Sequence, residues 1–217
     1  MIMKTTPFIA FVMAGLMAHL VAAETVAPAE PGAWRLHNRE ARFFAEDGRP
    51  VIRLSAGQAQ GMAWLTGSRL VEGTIDVELR GRDESGRSFL GVAFHGQDDA
   101  TYDAVYFRPF NFRNADGARR LRAVQYISHP QFTWDKLRAQ HPGRYEKPVD
   151  PVPDPSGWFR ARIVIETGRV SVFVNDATEP CLVVTPLGGR GGGMVGLWVD
   201  NGLEGDFANL RLRPHTP

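Results

Sequence analysis

Two short segments carry the side chains best suited to hold a ligand. In Tyr106-Phe-Arg108-Pro-Phe-Asn111, strand parity puts Tyr106 and Arg108 on one face, opposite Val105 and Phe107. In Gln125-Tyr126-Ile-Ser-His129, Gln125 and His129 share a face opposite Val124 and Tyr126. If the two strands are neighbours, Arg108, Gln125 and His129 converge on one patch. Arg, Gln, Asn and a ring form a sugar-binding inventory, in which planar polar groups meet hydroxyls and a ring meets the C–H side. The same groups could instead satisfy loop carbonyls and pin a long connection. A further set, Trp134, Arg138, Tyr145 and Glu146, falls in one proline-rich stretch, residues 129–157. Glu146 with His129 or His95 would form an acid/base pair if folding united them, and otherwise Glu146 and Arg138 form a local salt bridge. Trp198 and Asp200 alternate with Leu197 and Val199, so one pair is core and Trp198 is expected to face a groove or solvent as a stacking platform.

The elements that position these residues are short β-patterned runs separated by Gly, Asp, Asn and Pro. The clearest alternation is Ile75-Asp-Val77-Glu-Leu79, and Ile163–Val174 reads as a hairpin turning at Thr167-Gly168. Helical periodicity is confined to Thr133–Gln140. About a dozen strands of uneven length, with no internal repeat, predict an all-β, two-sheet antiparallel β-sandwich with one long irregular flap at 129–157. The flap's rings and prolines predict an ordered segment packed on the domain.

Lys4, the apolar run Pro7–Val21 and the small-residue exit Val21-Ala-Ala23 have the pattern of a secretory signal. The expected organisation is therefore a signal peptide at 1–23, a disordered leader at 24–33 and one sandwich domain at 34–213. The apolar run is shorter than the roughly 20 residues that cross a bilayer, so no membrane span is expected after cleavage. The expected location is secreted or periplasmic. The chain carries 25 Lys+Arg and 24 Asp+Glu, and Lys4 is the only charge within 1–23, so cleavage leaves 24 of each. A neutral chain argues against nucleic acid and anionic membranes as partners. Cys181 is the only cysteine, which excludes an intrachain disulfide.

The segments Phe89–Phe112, Ala123–Pro130, Trp134–Arg138, Pro142–Glu146 and Gly196–Val199 resemble exported bacterial domains of concanavalin A-like lectin/glucanase fold. In particular they resemble laminin-G-type modules and the 3-keto-disaccharide hydrolase-like family. The resemblance implies a jelly roll with a ligand groove on the concave sheet face. Endoglucanases of this fold use Glu-x-Asp-x-Glu on one strand, whose alternation brings two carboxylates to about 5–5.5 Å for retaining hydrolysis. Here those positions read Thr74, Asp76 and Glu78, with Glu72 two residues further, so the nucleophile is missing and a solvated strand face is expected. The resemblance also admits one Ca²⁺ on acidic loops, for which Asp98, Asp99 and Asp103, or Asn201, Glu204 and Asp206, are available. No fixed ligand spacing is present, so neither a metal nor another cofactor is expected. The leading expectation is a carbohydrate-binding module whose ligand meets Tyr106, Arg108, Asn111, Gln125, Trp134, Arg138, Tyr145 and Trp198. The alternatives are a glycoside-cleaving enzyme, with His129, Glu146 and Asp103 as first suspects and a 3-keto-glycoside as a candidate substrate, or a non-sugar adhesion module.

Overall fold

A computed structural model describes residues 23–215, so the signal peptide expected at 1–23 lies, but for Ala23, outside the described residues. Among the described residues, fifteen strands form two antiparallel sheets: β1 Thr25–Val26, β2 Trp34–His37, β3 Ala41–Glu46, β4 Arg49–Leu54, β5 Gly61–Leu65, β6 Gly73–Arg80, β7 Leu90–Gly96, β8 Tyr102–Phe107, β9 Val124–His129, β10 Glu146–Lys147, β11 Phe159–Glu166, β12 Arg169–Val174, β13 Leu182–Val184, β14 Met194–Val199 and β15 Gly205–Pro214. The first sheet runs β13-β12-β11-β6-β15-β4-β3 with β1 added beside β15, and the second runs β10-β9-β8-β7-β14-β5-β2. This is the expected sandwich, with the hairpin β11–β12 turning at Thr167-Gly168. The leader expected to be disordered is instead tied down: Thr25 and Val26 pair with Leu212 and Arg211, and the Trp34 indole donates to the Pro28 carbonyl at 2.8 Å. The unpaired edge of β15 and a pocket for the indole give this polar stretch backbone partners that its composition does not reveal.

The core lies between the sheets, where Phe107 and Phe112 both meet Phe159 edge-to-face, at 5.1 and 5.3 Å between centroids. β11 keeps a regular alternation of buried and half-buried residues, because its outer face meets water. By contrast, every residue of β7 and β8 is buried. Both faces of the second sheet are therefore covered. Its outer face lies under the 55–60 loop and the flap, whose helix α2 (Trp134–Gln140) follows the four-residue α1 (Gly117–Arg120) in the chain. The flap is ordered, as its rings and prolines predict, with Leu137, Tyr145 and Val149 buried.

Candidate functional site

The register of the second sheet builds the site. Trp198 pairs with Gly91, Gly91 with Tyr106, Tyr106 with Gln125 and Gln125 with Glu146, so all five lie in one row across the outer face. The lack of a side chain at Gly91 lets the Trp198 and Tyr106 rings meet at 4.8 Å, and a Cβ there would lie 2.5 Å from Tyr106 Cα. Just past β8, a 3-10 turn at Pro109–Asn111 starts at Arg108 and brings Phe110 and Asn111 to the rim. On α2, Trp134 and Arg138 are four residues apart and so share a face, with the guanidinium 4.8 Å from the indole centroid.

Around the end of this row lies a cavity of about 570 Å³. Tyr106, Arg108, Asn111, Trp134 and Arg138 line it, joined by Phe89, Phe110, Arg119, Arg122 and Asp200. Five of the eight expected contact residues thus share one wall. Gln125 lies beneath it, fully buried. Arg108 is both pinned and lining: Nη2 donates to the Tyr106 hydroxyl at 2.5 Å and Gln125 Oε1 at 2.6 Å, and Nη1 donates to the Arg122 carbonyl at 3.0 Å. Among the described residues, Gln125 Nε2 and Asn111 Oδ1 are buried with no hydrogen-bond partner. Burial pushes the Tyr106 phenol up to about 12, so it stays a neutral donor and acceptor. Burial likewise raises the Asp200 carboxyl, against the Asn201 N–H and the Arg39 and Arg108 charges.

Glu146 grips Arg138 in a fork, Nε to Oε1 at 2.9 Å and Nη2 to Oε2 at 2.6 Å. Arg122 and Arg108 also approach it, at 3.7 and 3.9 Å. Burial lowers the Arg108 pKa, whereas the Glu146 hydrogen bonds raise that of Arg138.

Two expected contact residues are placed differently. Trp198 lies on the expected face but is fully buried, its Nε1 donating to the Tyr102 hydroxyl at 3.2 Å, because loops cover that face. Tyr145 turns inward and packs against Tyr126 at 5.9 Å, where its ring anchors the flap. Nor do the three acid/base suspects converge. Asp103 lies on the inner face of β8, fully buried between His95 Nδ1 (3.1 Å), the Tyr126 hydroxyl (3.1 Å) and Arg190 (2.7 Å). His129 stacks on Tyr102 at 5.1 Å and contacts Gln60, and burial lowers its pKa. It is four residues along β9 from the partner of Glu146, roughly 13 Å at strand rise.

Asp76 and Glu78 lie on the outer face of the other sheet, ion-paired to Arg213 and Arg49, and Asp76 is buried beneath its partners rather than solvated as expected. The carboxylates of the acidic loops are engaged within the protein. Asp98 caps the N–H groups of Ala100 and Thr101, Asp99 holds Arg35 and the Trp64 indole, Glu204 holds Arg82, and Asp206 holds Arg53 and Arg80. Among the described residues no three His, Cys, Asp or Glu side chains group as metal ligands, and no helix is long and apolar enough to cross a membrane.

Arg119 and Arg122 were not singled out by sequence. The available signal was their clustering in Arg119-Arg-Leu-Arg122, a stretch that forms the end of α1 and the turn into β9.

No family model and no curated protein matches the chain. Solved structures do. A Bacillus subtilis protein with a galectin-like fold superposes with TM-score 0.58 at 12% identity, covering 87% of this chain and 94% of its own. The carbohydrate-binding module CBM66 from Bacillus subtilis matches with TM-score 0.53 at 12% identity, over 89% and 97%. The exoplasmic/lumenal domain of VIP36, in its Ca²⁺/Man3GlcNAc-bound form, matches with TM-score 0.56 at 13% identity, over 89% and 90%. The fold is the lectin-like, two-sheet β-sandwich that these structures share.

Proposed function

We propose that the chain is an exported carbohydrate-binding module that takes a saccharide into the cavity beside Tyr106, Arg108 and Trp134. One observation carries this reading: a cavity of about 570 Å³ walled by rings and planar polar groups, with an orphaned amide oxygen on its lining residue Asn111. Its volume lies within the roughly 300–1,000 Å³ range of small-ligand sites. Trp134, 42% exposed, offers a ring to the C–H face of a sugar. Asn111 Nδ2 is held by the Arg122 carbonyl at 3.1 Å, and its unpartnered, buried Oδ1 accepts from a hydroxyl once a small side-chain shift brings it to the cavity. The pinned Arg108, held from below by Gln125, lines the cavity as a donor that needs no reorganisation on binding. The sugar-bound VIP36 domain and CBM66 support the reading through shared fold. The narrower likeness to laminin-G-type and 3-keto-disaccharide hydrolase-like domains rests on the sequence segments alone.

Export rests on the N-terminal signal pattern, and the purified mature chain is expected to begin at Glu24. Saccharide screening by calorimetry tests the binding reading. The expected result is binding that weakens at least tenfold in Trp134→Ala, about 1.4 kcal/mol, and is unchanged by a calcium chelator. Absence of binding to every saccharide screened overturns it.

A further inference from the structure

The cavity is far more cationic than the chain. Arg108, Arg119, Arg122 and Arg138 all line it, against the single carboxylate Asp200. Glu146 adds one negative charge from below, but its fork is committed to Arg138, and one carboxylate cannot neutralise the three guanidiniums around it. Arg119 and Arg122 hold their charges at the rim with side chains 53% and 42% exposed. Each has only a distant acid, Asp116 at 3.8 Å and Glu146 at 3.7 Å. Since the chain after residue 23 has equal numbers of acids and bases, this excess is local and faces the rings of Phe89 and Trp134.

The other arginine-rich groove lies on the outer face of the first sheet. There Arg160, Arg211 and Arg213 are met by Asp176, Glu24 and Asp76, Arg162 donates to the Ala177 carbonyl and covers the Phe173 ring, and no aromatic side chain lines the groove. Among the described residues, the first cavity sets an excess of cations beside exposed stacking surfaces.

On the reading that this cavity binds sugar, we infer that its ligand is an acidic glycan, with a uronate carboxylate seated between Arg119 and Arg122 while its ring rests against Trp134. A guanidinium fork matches a planar carboxylate in two parallel hydrogen bonds, and the site displays that geometry in its own Arg138–Glu146 pair.

The test is calorimetry on the purified chain with uronate trisaccharides (galacturonate, mannuronate and glucuronate types), their methyl esters and sulfated trisaccharides. The expected result is at least tenfold tighter binding of one uronate than of its ester. The double variant Arg119→Gln/Arg122→Gln should erase that advantage, and Arg211→Gln, on the opposite sheet, should leave it within twofold. Both rim arginines are exposed, so the double variant keeps the fold, verified by an unchanged melting curve. An ester or neutral sugar bound as tightly as the uronate, or a sulfated sugar preferred to it, overturns the carboxylate assignment and leaves the sugar-binding reading standing. Binding of no saccharide of any kind overturns that reading itself.

Discussion

Replacing Arg108 by Met keeps the length of an apolar stem and removes the buried guanidinium. Three hydrogen bonds disappear, to the Tyr106 hydroxyl, Gln125 Oε1 and the Arg122 carbonyl. Two of these acceptors keep a second donor: the Tyr106 hydroxyl lies 3.4 Å from Gln125 Oε1, and Asn111 Nδ2 lies 3.1 Å from the Arg122 carbonyl. Their loss therefore falls near the ordinary net value of about 1 kcal/mol each, rather than the full penalty of an orphaned group. Glu146 loses a cation at 3.9 Å but keeps its fork with Arg138. Relief of the guanidinium's own desolvation, seen in its lowered pKa, offsets part of the sum. The net loss is about 3 kcal/mol, equivalent to a Tm lower by roughly 6–12 °C for a domain of this size. Thermal denaturation without ligand, followed by near-ultraviolet circular dichroism, measures it. A Tm within about 2 °C of the parent would refute the reasoning, because the guanidinium would then be no structural pin and its contacts would be incidental.

Other perturbations read the scaffold. Asp206 is fully buried between Arg53 and Arg80, whose hydrogen bonds hold its carboxyl below the usual range against the opposing effect of burial. Its stabilisation is present above the unfolded carboxylate pKa near 4 and is lost as pH falls through the lower folded value. Asp206→Asn should cost about 2 kcal/mol at pH 7, less than a fully buried pair because both guanidiniums keep contact with water, and Tm measured at successively lower pH should converge with the parent. Gly91→Ala, which drives a methyl group into the β8 backbone, should lower stability by about 2–3 kcal/mol in urea titration with an unchanged m-value. Burial pushes the Cys181 thiol up to about 12, so a thiol reagent at pH 8 should label the chain only after denaturant is added.

Local periodicity made much of the site legible. Alternation assigned Tyr106, Arg108 and Gln125 to one face, and the register confirms that Tyr106 and Gln125 are direct partners. The i, i+4 spacing of Trp134 and Arg138 brings them together on α2. Parity also placed Trp198 on the same face, yet could not show that the face is covered, since covering depends on where a loop more than a hundred residues away comes to rest. Tyr145 belongs to a segment without periodicity, and its inward turn is chosen by a space beside Tyr126 that exists only once β9 is in the sheet.

What depends on near neighbours along the chain was legible in the residues themselves: most of the strands, the β11–β12 turn, the two-sheet class and the faces of Tyr106, Gln125 and Trp198 on their strands. Covalent geometry and the period of two suffice for these. Only the tertiary structure decided which faces meet water, which carboxylate each arginine takes, and that Asp103 and Glu146 would stand on opposite faces of the second sheet. It also gathered Arg119 and Arg122 to the rim, which turned an evenly charged chain into one with a cationic cavity. Those outcomes rest on contacts between residues far apart in sequence, whose energies exist only after the sheets have assembled.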